Sequence, residues 1–341
     1  MTAAVPAPAP SRPGLRSQWI TGRSVDLTFV IGSVAAGYVY LLLYAALHVP
    51  ISYLWWFWSV GFDGTHIFAT ASRTFFDSEA RARHSKLLYG SALVFFALGP
   101  VMVLAGLKSW LYLLVGVWAY YHVIRQHYGF MVLYKVKNRD LAPLDNALDR
   151  IFLGVMLIFP PFHRFFVHHP EELGLKFSLP KLDVPLWCFA AATLLVYLAR
   201  QWMRWRAGDP PNLPKYLLLG AVIPLHWATF VWMSWQAAVP TVTIVHNLQY
   251  HAIVWFHNRN RYAGSEGHGR IPQAVSRSLL TYLGLGLIFS TLYRIPGFAL
   301  GQVSDLAFGF FCGFGLTHYY LDSRIWRVRH DPGLRTALQL G

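Results

Sequence analysis

Histidine carries most of the reactive chemistry that this sequence can offer. His66 lies in GFDGTHIF, and His122 and His127 lie in YYHVIRQHYGF. His246, His251 and His257 fall in VHNLQYHAIVWFHNRNRY, and His318 and Asp322 in LTHYYLD. Neutral imidazole is a common metal ligand, and imidazole combined with carboxylate fits iron, manganese or zinc. The two cysteines, Cys188 and Cys312, sit in apolar segments as small hydrophobes, so neither a disulfide framework nor a thiolate metal site is expected.

The elements that must position these groups follow from composition. Of 341 residues, 55% are hydrophobic and 13% charged, whereas soluble proteins carry about 25% charged residues. Apolar runs of roughly 20 residues recur throughout, each long enough to cross a bilayer as a helix. Backbone groups in hydrocarbon must pair internally, which selects helices for runs of this length. The expected fold is an all-α, polytopic integral membrane bundle of about ten spans: 25–48, 52–72, 87–107, 110–134, 147–166, 184–203, 215–236, 239–257, 277–294 and 298–322. Pro160 and Pro161 interrupt the fifth. Residues 1–24, rich in Ala and Pro at the start, read as a disordered cytosolic tail. Residues 25–323 read as one transmembrane domain and 324–341 as a cytosolic C-terminal tail.

Charge placement orients the bundle. Basic groups collect before span one (Arg12, Arg16, Arg23) and after span two (Arg73, Arg81, Arg83, Lys86). They collect again after spans four (Lys135, Lys137, Arg139, Arg150), six (Arg200, Arg204, Arg206, Lys215), eight (Arg259, Arg261, Arg270, Arg277) and ten (Arg324, Arg327, Arg329, Arg335). The alternate loops hold only Lys108, Arg164, Lys176, Lys181 and Arg294. The positive-inside rule then puts both termini in the cytoplasm, with a bacterial inner membrane as the expected location. Because the net charge of +14 is accounted for by these flanks, nucleic acid is not an expected partner.

With this topology the histidines gather near one depth. His66 lies seven residues before Arg73, His127 eight before Lys135, His251 eight before Arg259 and His318 six before Arg324. At ~1.5 Å per residue these four rings fall within roughly one helical turn of each other. His122, His246 and Asp63 form a second tier about one turn deeper. Four helices presenting imidazoles together is what a metal centre in a bundle requires. The candidate ligands are therefore His66, His122, His127, His246, His251, His318, Asp63 and Asp322. His122–His127 and His246–His251 are each five apart, about 140° around an ideal helix, so both members of a pair reach one centre only through a kink or a π-bulge.

Around these ligands, Arg125 reads as an ion-pair partner for Asp63 or Asp322, and Asn247 as a group that orients a neighbouring imidazole. His257, at a span end, is a further supporting candidate. Tyr120, Tyr121, Tyr250, Tyr319 and Tyr320 read as interfacial belt and packing. His226 reads as structural, and His84, His268 and His330 as loop residues. His163, His168 and His169 in FHRFFVHHP fall on the non-cytoplasmic side and are poor candidates for the same centre.

The stretches GFDGTHIFATASRTFFD, WAYYHVIRQHYGF and VHNLQYHAIVWFHNRNRY resemble the bacterial β-carotene dioxygenases of the Brp/Blh family. That resemblance implies a polytopic membrane protein whose histidines, from separate helices, hold an iron that splits carotene into retinal. It would make His66, His122 and His246, with His251 as a further member, the ligands. A weaker resemblance, through the His-x-x-x-x-His of His122–His127, is to membrane fatty-acid hydroxylases and desaturases.

The residues and the resemblance together lead to the expectation of a His-ligated non-haem iron oxygenase, mononuclear or di-iron, with other divalent metals as alternatives. Its expected partners are membrane lipids and a hydrophobic lipid or isoprenoid substrate, with an electron donor if the chemistry is that of a monooxygenase. A haem protein with facing axial histidines, a proton-coupled transporter using the histidines as a relay, and a structural or assembly subunit are the competing readings.

Overall fold

The computed structural model describes residues 14–262 and 269–340; residues 1–13, which belong to the expected disordered tail, and His268 lie outside the described residues. Among the described residues the protein is all-helical, its one β-bridge joining Arg16 to Asn212. A π-helical entry (Asp26–Ile31) leads into α1 (Val34–Ala45). Next come α2 (Ile51–Trp58), a π-turn (Ser59–Asp63) and α3 (Gly64–Ser72), followed by α4 (Ser78–Leu104) and α5 (Lys108–Lys137). Then follow α6 (Pro143–Phe162), which continues through a π-turn (His163–His168), α7 (Asp183–Arg206), α8 (Leu213–Trp232) and α9 (Trp235–Tyr262). The chain finishes with α10 (Arg270–Arg277), α11 (Leu279–Val303), α12 (Asp305–Ile325) and α13 (Pro332–Ala337). The ten apolar runs thus fall largely in helices, but the run expected at 298–322 is broken at Ser304, where α11 gives way to α12.

Six helical segments are long and apolar enough to cross a membrane: Arg23–Ala45, Ser78–Leu104, Pro143–His168, Pro180–Arg206, Leu213–Trp232 and Leu279–Val303. This marks a multi-pass membrane protein. None of the six bears His66, His122, His246 or His318. Those residues ride on α3, α5, α9 and α12, whose polar side chains lower their hydropathy. α3 is buried at every residue, and α9 buries apolar and polar residues along its whole length. By contrast α4, α7 and α11 turn large apolar side chains such as Leu93, Leu195 and Leu292 outward. Polar helices inside and apolar helices outside is the arrangement that lipid solvation favours.

Close packing fixes α12 against α4. A Cβ on Gly99 would lie 1.9 Å from the Gly309 carbonyl oxygen, and one on Gly309 would lie 2.7 Å from the Gly99 carbonyl carbon. Only glycine at both positions lets these backbones meet, as small residues do at many membrane helix crossings. α3 is held to α11 in a similar way. There Ser290 Oγ donates a 2.7 Å hydrogen bond to the Val60 carbonyl, one of the groups that the π-turn before α3 displaces from regular helical pairing.

At one end of the bundle, buried charges tie four elements together. Asp140, between α5 and α6, accepts from Arg204 Nη2 at 2.8 Å and faces Lys215 Nζ at 3.0 Å. Burial alone would raise the Asp140 carboxyl, but Lys215 and Arg204 outweigh it and bring the pKa down to about 2. Gly14 to Gly22, assigned from sequence to a disordered tail, lies against this end instead. Arg16 N–H bonds to the Pro211 carbonyl, Arg16 pairs with Asp209 at 2.8 Å, and Ile20 is buried. The arginine that was expected only to orient the first span also serves as an anchor.

Candidate metal centre

Four helices each deliver one imidazole to a common point. His66 on α3 and His318 on α12 approach with their Nε2 atoms 2.9 Å apart. The ring centres of His66 and His246 are 5.3 Å apart, those of His122 and His246 4.9 Å, and those of His122 and His318 4.8 Å. One ligand atom from each of His66, His246 and His318 falls within 4.8 Å of the other two, and the same holds for His122, His318 and Asp322. All five side chains are buried.

The donor set is incompletely satisfied by protein. His66 Nδ1, His122 Nε2 and His246 Nδ1 are buried with no hydrogen-bond partner. Leaving such atoms unpaired in a low-dielectric interior costs about 1–3 kcal/mol each. At the His66–His318 contact only one Nε2 can carry a proton toward the other. Several lone pairs therefore converge where a cation can accept them, and the residues present fit a His-rich divalent metal site. The small space bounded by Asp63, His66, His122, His246, Asn247 and Tyr319 measures about 10 Å³. That is room for one water-sized or ion-sized guest and far too little for a porphyrin.

Asp322, one turn beyond His318, completes the cluster. Its Oδ2 faces His122 Nε2 at 3.7 Å, and its Oδ1 accepts from Thr70 Oγ1 at 2.9 Å and Tyr250 OH at 2.8 Å. Thr70 Oγ1 also lies 2.7 Å from His318 Nδ1. Contacts of this kind fix the tautomer and orientation of a ligand imidazole. Thr70 was missed by sequence reasoning, and Tyr250 was read only as belt and packing. Each lies four residues after a cluster histidine, His66 and His246 respectively, and so on the same helical face; that spacing was the available signal.

Other candidates lie elsewhere. His127 points away from the cluster toward His226, their ring centres 5.6 Å apart, and neither of its nitrogens is hydrogen-bonded. His251 is committed to Thr65 Oγ1 at 2.9 Å and Tyr282 OH at 3.0 Å, joining α9 to α3 and α11. α5 and α9 stay regular here, so a five-residue step turns the second member of each pair to another face. Grouping His127 and His251 with His66 by depth therefore gives way to grouping His122 and His246 with them by direction.

Asp63 Oδ1 stands 3.7 Å from His66 Nδ1, while its other oxygen pairs with Arg294. Arg294 was expected in a loop, but lies within α11. It takes the role anticipated for Arg125, which is exposed and stacks over Tyr128 at 5.2 Å. Asn247 is fully buried, yet neither of its amide atoms bonds an imidazole. His257 bonds Asn258 at 3.1 Å and packs on Trp326, away from the cluster.

Beside the cluster lies a cavity of about 260 Å³ between α3, α4, α11 and α12. Its wall is apolar, with Phe96, Phe289, Phe314 and Leu321 prominent, and its polar lining consists of Thr70, Thr317 and His318. An apolar chamber with a few convergent polar groups is the usual form of a site for a hydrophobic small molecule.

No family model, curated protein or solved structure matches the chain.

Proposed function

We propose that this protein is a membrane-embedded non-haem iron oxygenase acting on a hydrophobic lipid or isoprenoid. One observation carries the reading: four buried imidazoles from four helices converge, with unpaired nitrogens, beside an apolar cavity that His318 borders. His66, His122, His246 and His318, with Asp322, would hold the metal. Iron bound there would supply activation of dioxygen. Thr70 and Tyr250 hold Asp322 and His318 in register through their hydroxyls. The aromatic wall around Phe96, Phe289 and Phe314 excludes water and takes up a hydrocarbon chain, bringing a segment of it alongside His318. A dioxygenase needs no outside electrons, whereas a monooxygenase would call for an electron-donating partner. The topology proposed with this reading has ten spans and cytoplasmic termini, in a bacterial inner membrane.

The test is metal analysis and absorption spectroscopy on detergent-purified protein, followed by oxygen uptake with carotenoids and fatty acids. Iron in stoichiometric amount, no Soret band, and substrate-dependent oxygen consumption are expected. Protein that holds no metal under conditions that spare labile iron would overturn the reading and favour a histidine relay in a transporter, which uptake into vesicles would detect.

A further inference from the structure

At the far end of α6 from the Asp140 network, a second constellation of ligands forms with no residue in common with the first. The helix carries Pro160 and Pro161 in its last turn, ends at Phe162 and passes into the π-turn His163–His168, closed by a 2.7 Å bond from His169 N–H to the Arg164 carbonyl. In a regular α-helix His163 and His168 would diverge by about 140°. The wider π-turn brings them onto one side, with ring centres 4.5 Å apart. Asp183, in the first turn of α7, meets them there. Its Oδ1 lies 2.7 Å from His163 Nε2 and 3.8 Å from His168 Nε2, and the two Nε2 atoms are 3.2 Å apart.

Protons alone do not satisfy this arrangement. Trp187 Nε1, one turn further along α7, also points at His163 Nε2, at 3.1 Å. An indole N–H is a donor only, so it requires a lone pair on that nitrogen, whereas the Asp183 carboxylate requires a proton there. Either state leaves a like-with-like contact. A divalent cation accepts a lone pair from each of His163, His168 and Asp183, so that no proton is needed between them. The three observed separations bracket the ~3.3 Å edge of a tetrahedron built on zinc bonds of ~2.0–2.1 Å.

We propose that His163, His168 and Asp183 form a second, solvent-accessible binding site for a first-row divalent cation of the zinc type. His168 and Asp183 are 47% and 39% exposed, so the ion exchanges with solution and keeps a coordination position open to water. The exposure sets it apart from the buried cluster, and the proposal does not depend on the function assigned to that cluster.

The experiment is zinc titration of the chelator-treated full chain in detergent, with bound zinc counted after gel filtration. It is run in the wild type and in a His318→Ala background, so that loss of the buried centre and loss of this site are read separately. In both backgrounds His168→Ala and Asp183→Asn should each remove one zinc per chain. Cobalt in place of zinc should give visible absorption bands of tetrahedral intensity that the two variants lack. Unchanged zinc stoichiometry in both variants, or cobalt without such bands in the wild type, overturns the proposal.

Discussion

Replacing Gly309 by alanine tests whether the α4–α12 crossing positions the metal ligands. The new Cβ would lie 2.7 Å from Gly99 C, 2.8 Å from Gly99 O and 2.9 Å from Pro100 N, against the 3.4 Å at which ordinary contact begins. All three obstacles are backbone, so no side chain can rotate aside, and the helices must part by roughly 0.5–0.7 Å at this point. For Gly99→Ala the obstacle is the Gly309 oxygen at 1.9 Å, which demands a separation of roughly 1.5 Å. Overpacking of this kind costs about 1–3 kcal/mol. His318 lies nine residues along the same helix, and a coordination site tolerates only about 0.5 Å of displacement in its ligands. Gly309→Ala is therefore expected to lower metal affinity about tenfold or more and to shorten thermal inactivation time in detergent, with Gly99→Ala worse on both counts. Gly129→Ala, on α5 with nothing within 4 Å of its Cβ, should leave both unchanged. Equilibrium dialysis against buffered metal, with a melting curve on the same samples, reads the two effects together. Wild-type metal affinity in Gly309→Ala would refute the argument that this crossing sets the position of His318.

Alanine at His66, His122, His246 or His318 should each abolish stoichiometric iron, while His127→Ala and His251→Ala retain it; mass-spectrometric iron analysis separates the two groups. Tyr250→Phe should keep the fold but loosen Asp322 by removing its 2.8 Å donor, a loss of about 1–2 kcal/mol to be seen as faster metal release into a chelator. Asp140→Asn should destabilise the bundle by about 2 kcal/mol near neutral pH, the equivalent of lowering a carboxyl from 3.8 to about 2. Because the folded pKa is depressed, that stabilisation is present above 3.8 and lost as pH falls toward 2. The gap between variant and wild type in acid-denaturation curves should therefore close over that window.

How far the sequence reached depended on what each inference required. Helical character needed only the length of apolar runs, and the runs are largely helical, although the boundary expected at 294–298 falls at Ser304 instead. Naming four helices that share a centre needed only charge bias and counting, and α3, α5, α9 and α12 do converge. Choosing between His122 and His127, or His246 and His251, needed the rotation of each helix about its axis. Depth counting contains no such information, although the 140° spacing already warned that one member of each pair would face away. Arg294 was placed in the loop after span nine, yet α11 continues through it to Val303 and Asp63 supplies the partner that makes the charge tolerable there. The roles of Tyr250 and Thr70 were hidden for a different reason. Tyrosine is common near interfaces and threonine is common in membrane helices, so neither type stands out until a carboxylate is seen between them.

The placement of the polar helices inside the apolar ones bears on how the protein is made. A translocon releases a segment sideways according to its own hydrophobicity, and a charged residue near a helix centre opposes release by about 2.5–3.5 kcal/mol. α3, with its three imidazole-bearing neighbours still to be synthesised, is a poor candidate for independent release. Its exit would be helped by the apolar α4, which follows after a short connection, and α12 by α11 in the same way. The last of the four cluster histidines emerges with α12, after the apolar helices have already been threaded. Assembly of the centre is then a late step in biogenesis, when polar faces abandon the water of the translocon for one another.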